Sequence, residues 1–205
     1  MNVNYNYLKQ EFSNPKEIID EWKKLIKSTD FTLGKYVFKF EKTFSKFIGS
    51  KYCVSTNTGT DALILCLKAL GIKPGDEVIT VINTFYATVG AIEAVGAIPV
   101  FCDCDDRYQI KIDEIQNKIT KKTKAIIPVH WGGASPDMFK IMRIAKSYKL
   151  KVIEDACMGI GGKLKGKSPG TFGDVSAFSL HPLKSLNAIG DAGAEDAKII
   201  FDGNA

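Results

Sequence analysis

The spacing of apolar residues changes period along this chain. Ile18, Ile19, Trp22, Leu25 and Ile26 recur at helical spacing and predict an amphipathic helix. Asn14-Pro15 reads as its start, with Asn14 as N-cap and Pro15 at the first helical position. After Gly34 a second helix carries Val37, Phe40, Phe44 and Phe47 on one face and stops at Gly49. From residue 52 the pattern alternates. Short β-rich runs at 52–56, 77–81, 98–101, 125–129, 151–154 and 175–180 are separated, for the most part, by helical patterns over 61–70, 87–95, 112–119 and 136–148. Continuous apolar strands alternating with helices predict an α/β fold, a mainly parallel sheet covered by helices. Ligands of such sheets bind beyond the carboxyl ends of the strands, so the polar turns there are the places to look for chemistry.

Composition narrows the picture. A chain of 205 residues, 45% hydrophobic and 25% charged, suits one globular domain, or a domain and a fragment. The net charge of +5 comes from scattered lysines, densest over 118–124. No basic helix interleaves with aromatics, which argues against nucleic acid, whereas a mildly positive surface favours an anionic substrate. Met1-Asn2-Val3-Asn4-Tyr5 lacks the basic start and apolar run of a signal peptide, and no apolar stretch is long enough to span a bilayer. Five cysteines, an odd number without a Cys-x-x-Cys, point to reduced thiols and a cytoplasmic protein. With two histidines, His130 and His181, no metal centre is expected.

Five turns carry candidate chemistry. Ser55-Thr56-Asn57-Thr58-Gly59-Thr60-Asp61 joins a strand to a helix N-terminus, where hydroxyls, a glycine and the helix dipole suit a phosphate or, equally, an ordinary N-cap. Asn83-Thr84-Phe85-Tyr86 sets two aromatics at the next strand end, either over a planar ligand or in the core. His130 follows the 125–129 strand, where it bonds a ligand or satisfies a loop carbonyl, the second being the commoner outcome. Glu154-Asp155 ends an apolar strand. Adjacent strand residues face opposite ways, so one of the two points into a given cleft, and an acid buried there needs a cationic partner. The last turn runs from Ser179 to Asp191 and carries Lys184 just past the 175–180 strand. A lysine there can reach a cleft, where desolvation makes its amine nucleophilic. An amine, an acid, an aromatic and phosphate donors at successive strand ends are the parts that pyridoxal phosphate requires.

These residues resemble the sugar aminotransferases of the DegT/DnrJ/EryC1/StrS family. The resemblance runs from about Phe31 to Gly193. It rests on Asn57-Thr58-Gly59-Thr60-Asp61-Ala62, Pro74-Gly75-Asp76-Glu77-Val78-Ile79, Asn83-Thr84-Phe85-Tyr86-Ala87-Thr88 and Gly96-Ala97-Ile98-Pro99-Val100-Phe101. It continues in Glu154-Asp155-Ala156 and in the run from Gly173 to Lys184. It implies the large domain of the fold type I pyridoxal-phosphate transferases. Lys184 then holds the cofactor as a Schiff base, Asp155 pairs with the ring nitrogen and Phe85 covers the ring. Gly59, Thr60 and Ser179 receive the phosphate. It also implies a homodimer that moves an amino group from glutamate to a nucleotide-linked keto sugar, as in lipopolysaccharide or other aminosugar biosynthesis. Lys184 stands where a dehydratase branch has histidine, so transamination is the implied reaction.

Three departures accompany the resemblance. Met158 replaces a glutamine or histidine, Ala192 a glycine, and Glu195 and Asp196 interrupt an expected apolar strand. The reading divides the chain into an N-terminal arm and helix (1–30), a cofactor-binding large domain (31–194) and an atypical tail (195–205), with the family's small C-terminal domain absent. Two other classes stay open: a truncated homologue that holds cofactor, or pairs with a full-length one, without turnover, and a plain nucleotide-binding α/β domain. The missing glycine-rich fingerprint argues against the last.

Overall fold

The fold is described by a computed structural model covering residue 4 and residues 6–197. Helices α1 (Leu8–Glu11), α2 (Lys16–Ser28) and α3 (Lys35–Ile48) precede the sheet. Then follow β1 (Tyr52–Thr56), α4 (Gly59–Ala69), β2 (Glu77–Val81), α5 (Tyr86–Ala94), β3 (Ile98–Cys102) and α6 (Ile112–Lys118). The order ends with β4 (Thr123–Ile127), α7 (Met138–Tyr148), β5 (Lys151–Asp155), β6 (Val175–Ser179) and β7 (Gly193–Ala197). Seven strands form one sheet in the order β1-β7-β6-β5-β4-β2-β3, parallel except for β7, which runs antiparallel to both neighbours. The α/β expectation holds.

Two layers of helices close the sheet. On one face α4 and α5 bury Leu63, Cys66, Leu67, Ala91 and Ile92 against Val78, Ile127, Ile153 and Ala177. On the other face Ile115 of α6 and Met138 and Ile141 of α7 cover Ile79, Ile126 and Val152. There α3 lays Phe44 and Ile48 over Cys53, Phe178 and Ala194. Phe44 meets Phe40 at 5.3 Å and stands edge-on to Phe178 at 5.1 Å, geometries that aromatic quadrupoles favour.

Several local expectations are corrected. Phe40, Phe44 and Ile48 lie four residues apart in one row, so Ile48 is buried and Phe47 is left exposed. Pro15 takes the cap position of α2 and Asn14 gives no side-chain cap. The fourth strand ends at Ile127, because Pro128 has no N–H with which to continue the ladder. The break expected at Glu195 and Asp196 does not occur, since β7 runs on to Ala197. Backbone pairing with both β1 and β6 carries that strand through two acidic residues. Residues 198–205 of the expected tail lie outside the described residues. The strand pays at Glu195, whose Oε2 is buried without a hydrogen bond opposite Val54 and Ala177.

The end of β5 is tied down from both sides. Through its own peptide group Asp155 bonds Pro128 O at 3.0 Å and His130 N at 3.0 Å, while Ala156 N donates to Ala177 O at 2.9 Å. Glu154 turns to the α6–α7 face, where it is fully buried. Its Oε1 accepts from the N–H groups of Phe172 and Gly173, both at 2.6 Å. Its Oε2 accepts from Gly170 N at 2.8 Å and from His130 Nε2 at 2.9 Å. The His130 Nδ1 lies 3.0 Å from Ser135 Oγ. His130 therefore contacts neither a loop carbonyl nor an open cleft; it fastens the loop after β4 to Glu154.

Two outcomes follow from these carboxylates. Burial pushes the Glu195 carboxyl up from its ordinary value of 4.5, so the folded chain keeps that proton to higher pH than the unfolded chain does. Stability from this group is complete below 4.5 and is lost as pH rises through the raised value. Glu195→Gln should therefore be the more stable protein at pH 7, by roughly 1 kcal/mol, with the gap closing in acid. Urea unfolding at the two pH values measures this, and equal midpoints at neutral pH would refute it. Glu154→Gln, by contrast, turns an NH2 group toward backbone donors. We expect a loss of roughly 3 kcal/mol or more in the same assay; a near-neutral result would mean that the latch is dispensable.

Candidate active site

The candidate residues converge at the carboxyl ends of β1, β2, β5 and β6. Antiparallel β7 brings its first residue to the same edge, since Gly193 pairs with both Thr56 and Ser179. The start of α4 lies directly over this point. A Cβ on Gly193 would come within 2.4 Å of the Thr58 carbonyl, and one on Gly59 within 2.9 Å of Ser179 Cβ and 3.0 Å of Cys157 Sγ. Gly193 needs to be glycine because backbone meets backbone there, and Gly59 because the Ser179 and Cys157 side chains press on it. The crowding sets Gly59 against Ser179.

The first turn of α4 is capped from within. Thr58 Oγ1 accepts from Asp61 N at 3.0 Å and Thr58 O accepts from Ala62 N at 3.1 Å. The N–H groups of Gly59 and Thr60 take no acceptor among the described residues, and the helix dipole adds partial positive charge where they emerge. Ser179 is buried, and its Oγ accepts from His181 N at 3.3 Å. Of the two alternatives that its sequence left open, the turn forms the cap through Thr58, and the N–H groups of Gly59 and Thr60 stay available to an acceptor.

Asp155 points to the face opposite Glu154, as strand alternation requires. Its side chain is buried and receives two hydrogen bonds, from Thr88 Oγ1 to Oδ2 at 2.7 Å and from Cys157 N to Oδ1 at 3.2 Å. Among the described residues no lysine, arginine or histidine forms an ion pair with it. Burial above all, and then the neighbouring Asp155 charge, push the Cys157 thiol well up, against a smaller opposite pull from the Lys184 ammonium. Cys157, Asp155 and Lys184 thus share one electrostatic neighbourhood.

Lys184 sits on a turn anchored at both ends. Lys184 N donates to His181 O at 2.8 Å, Asn187 N to Lys184 O at 3.1 Å and Ala188 N to Leu180 O at 2.8 Å. Asn187 Nδ2 also bonds Glu11 Oε2 of α1. The Lys184 ammonium lies 5.9 Å from the centre of the Phe85 ring, within the range of a cation–π contact. Phe85 itself leans on Tyr86 at 4.2 Å and is 53% exposed, so it is no core residue.

All six residues singled out from the sequence therefore gather at one edge of the sheet. Thr88 stood inside a quoted motif and Gly193 at the end of the matching stretch, both without an assigned part. For Thr88 a signal exists: hydroxyls at 84 and 88 are one helical turn apart and meet at 2.7 Å. For Gly193 the signal is visible only once β7 is seen to pass beneath α4. Among the described residues no cluster of three or more His, Cys, Asp or Glu is arranged to hold a metal ion, and no helix is long and apolar enough to cross a membrane.

Comparison with known proteins supplies the context. Residues 13–196 match the model of the DegT/DnrJ/EryC1/StrS aminotransferase family. The chain is 45% identical over 178 residues to a UDP-N-acetyl-3-dehydro-alpha-D-glucosamine 3-aminotransferase of Acidithiobacillus ferrooxidans, covering 86% of this chain and 48% of that protein. It is 41% identical over 180 residues to the 3-oxo-glucose-6-phosphate:glutamate aminotransferase of Bacillus subtilis, covering 87% of this chain and 40% of the relative. The crystal structure of NtdA from Bacillus subtilis with bound cofactor PMP superposes with a TM-score of 0.86 at 40% identity, over 90% of this chain and 42% of that one. The chain thus spans about half the length of the curated relatives it matches. Its sheet and helices are those of the fold type I pyridoxal-phosphate transferases. The chain belongs to the DegT/DnrJ/EryC1/StrS aminotransferase family, whose cofactor is pyridoxal phosphate.

Proposed function

We propose that these residues form the cofactor side of an aminotransferase acting on the keto group of a nucleotide-linked sugar, with glutamate as amino donor. The observation that carries the reading is Asp155: a buried carboxylate with two neutral donors and no cation, facing the neighbourhood of Lys184. Such an acid is expensive to bury unless a positive group joins it. A protonated pyridine nitrogen is that group, so the residues present suit the cofactor. The named relatives act on keto sugars, and one carries glutamate in its name. Both points support the substrate and the donor assigned here.

In this reading the N–H groups of Gly59 and Thr60, with the hydroxyls of Thr60 and Ser179, receive the phosphate. Phe85 covers one side of the ring. Asp155 holds the ring nitrogen. Lys184 would hold the cofactor covalently through its amine, and the same amine, when free, would move a proton at the carbon beside the substrate nitrogen. The bound cofactor supplies an electron sink for the negative charge that this proton transfer leaves behind. Raised by burial, the Cys157 thiol stays neutral and adds no charge to compete with Asp155.

The reading includes a homodimer working in the cytoplasm, where aminosugars for a cell-surface polysaccharide such as lipopolysaccharide are assembled. Exposed apolar side chains beside the site, Tyr86, Leu183, Leu186 and Ile189, favour a covered rather than a free surface. An apolar groove of about 430 Å³ behind the Lys184 turn, lined by Tyr36, Val37, Phe40 and Leu186, adds to that face.

Adding pyridoxal phosphate to the purified chain should produce visible absorbance, and borohydride should fix the cofactor on Lys184. Mass spectrometry of the digest locates it. Label on another lysine, or undiminished label in Lys184→Ala, would remove Lys184 from its role. Turnover is a separate matter. Phe85 and Leu183 leave the site open to solvent, and oriented reactants can gain roughly 7–11 kcal/mol over free ones. Residues 1–205 alone should therefore hold cofactor yet aminate keto-sugar nucleotides far below about 1 per second. Product formation at that rate or faster would show that these residues already position the sugar.

A further inference from the structure

Thr88, in the first turn of α5, is completely buried. Its hydroxyl has one proton, and that proton points to Asp155 Oδ2, 2.7 Å away. A carboxylate has no proton to return. Thr88 Oγ1 must then accept from Thr84 Oγ1, at 2.7 Å. The sequence of donors is fixed: Thr84 to Thr88, Thr88 to Asp155. Cys157 N–H occupies the other carboxylate oxygen at 3.2 Å. Thr88 Oγ1 and Cys157 N thus hold one oxygen of Asp155 each, and the Cys157 thiol also interacts with the carboxylate. Glu154 lies on the opposite face with His130, the Cys157 thiol feels both the Asp155 charge and the Lys184 ammonium, and the Lys184 turn also carries His181 beside Asp191.

We propose that Thr88, ordered by Thr84, is a positioning residue: its hydroxyl holds Asp155 ionised and aimed, so that the proton shared with the cofactor stays on the ring nitrogen. The inference rests on the reading of Asp155 as partner of that nitrogen. A hydrogen bond to the charged form of an acid favours that form, and a chain of two hydroxyls polarises its last member further. Without the Thr88 hydroxyl, Asp155 becomes the stronger base and draws the shared proton from the ring nitrogen to its own oxygen. No other bond changes. The ring then withdraws electrons less well.

Three measurements on the chain as it stands test this. In the cofactor-free protein, the carboxyl carbon resonance of Asp155, identified by its loss in Asp155→Asn, should move in Thr88→Val and return in Thr88→Ser. It should move less in Thr84→Val, whose side chain is only partly buried. With ring-15N pyridoxal phosphate reduced onto Lys184, the nitrogen resonance should leave the pyridinium position in Thr88→Val and keep it in Thr88→Ser. Affinity for pyridoxal phosphate should fall about tenfold in Thr88→Val, the size of one hydrogen bond to a charged group. A purely structural threonine would let valine, its near-isostere, leave both resonances in place. An unmoved Asp155 resonance in Thr88→Val and Thr84→Val overturns the proposal. So does a displaced Asp155 resonance beside an unchanged ring nitrogen. Should wild type fix no cofactor on Lys184, it is the cofactor reading that fails, and the carboxyl resonance still decides whether the hydroxyls act on Asp155.

Discussion

Everything at this site depends on burying two adjacent carboxylates at the end of one strand. Alternation sends Glu154 and Asp155 to opposite faces of the sheet, and each face settles the charge in its own way. Glu154 receives three backbone N–H groups and a histidine, so it is saturated by its own chain. Asp155 receives a threonine hydroxyl and one N–H, and no cation. The difference separates a fastening from the group proposed to bind cofactor. A saturated carboxylate has nothing left to offer a ligand, while an under-partnered one beside an open turn does. The fastening also makes the binding group usable, because the same strand end that Glu154 anchors carries the Asp155 peptide between β4 and β6.

A second constraint comes from the antiparallel strand. In a wholly parallel sheet the carboxyl ends of β1 and β6 would be separated by another strand's carboxyl end and the turn that follows it. Here β7 enters from that edge, and its first residue, Gly193, fits beneath Thr58 and Gly59 because it has no side chain. The N-terminus of α4 can then descend onto Ser179. The corner proposed for the phosphate thus follows from strand direction as much as from its hydroxyl-rich sequence. It also explains how β7 survives Glu195: pairing on both sides supplies a full ladder of backbone bonds, against which one buried carboxylate is a tolerable cost.

What was legible in the sequence is what repeats or alternates. The β-rich runs and the helices between them follow from period, and their ends shift by only a residue or two. Lys184, Asp155 and the turn at Gly59 could be found because each stands at or shortly past the end of a strand. What was not legible involves partners distant in sequence. His130 looks the same whether it bonds a carbonyl or Glu154, 24 residues on. Thr88 gives no hint that it reaches Asp155, 67 residues away. The fate of Glu195 and Asp196 is set by two strands that local polarity does not reveal. Phe47 was misplaced for a simpler reason: a three-residue step and a four-residue step both fit a helix, and only the packing against Phe178 selects the row through Ile48.

The same geometry separates holding a cofactor from using it. Each residue proposed to touch the cofactor is fixed by an element end or an anchored turn. Gly59 and Thr60 start α4, Asp155 ends β5, Ser179 ends β6, and Lys184 lies on a turn whose backbone is bonded at both ends. Such groups are preorganised, and binding spends little on ordering them. The side facing away from the sheet is different in kind. Phe85, Tyr86, Leu183 and Ile189 are apolar, exposed, and packed against nothing that would fix where a sugar lies. The contacts proposed for the cofactor therefore derive from the sheet itself, whereas among the described residues this face offers exposed apolar side chains.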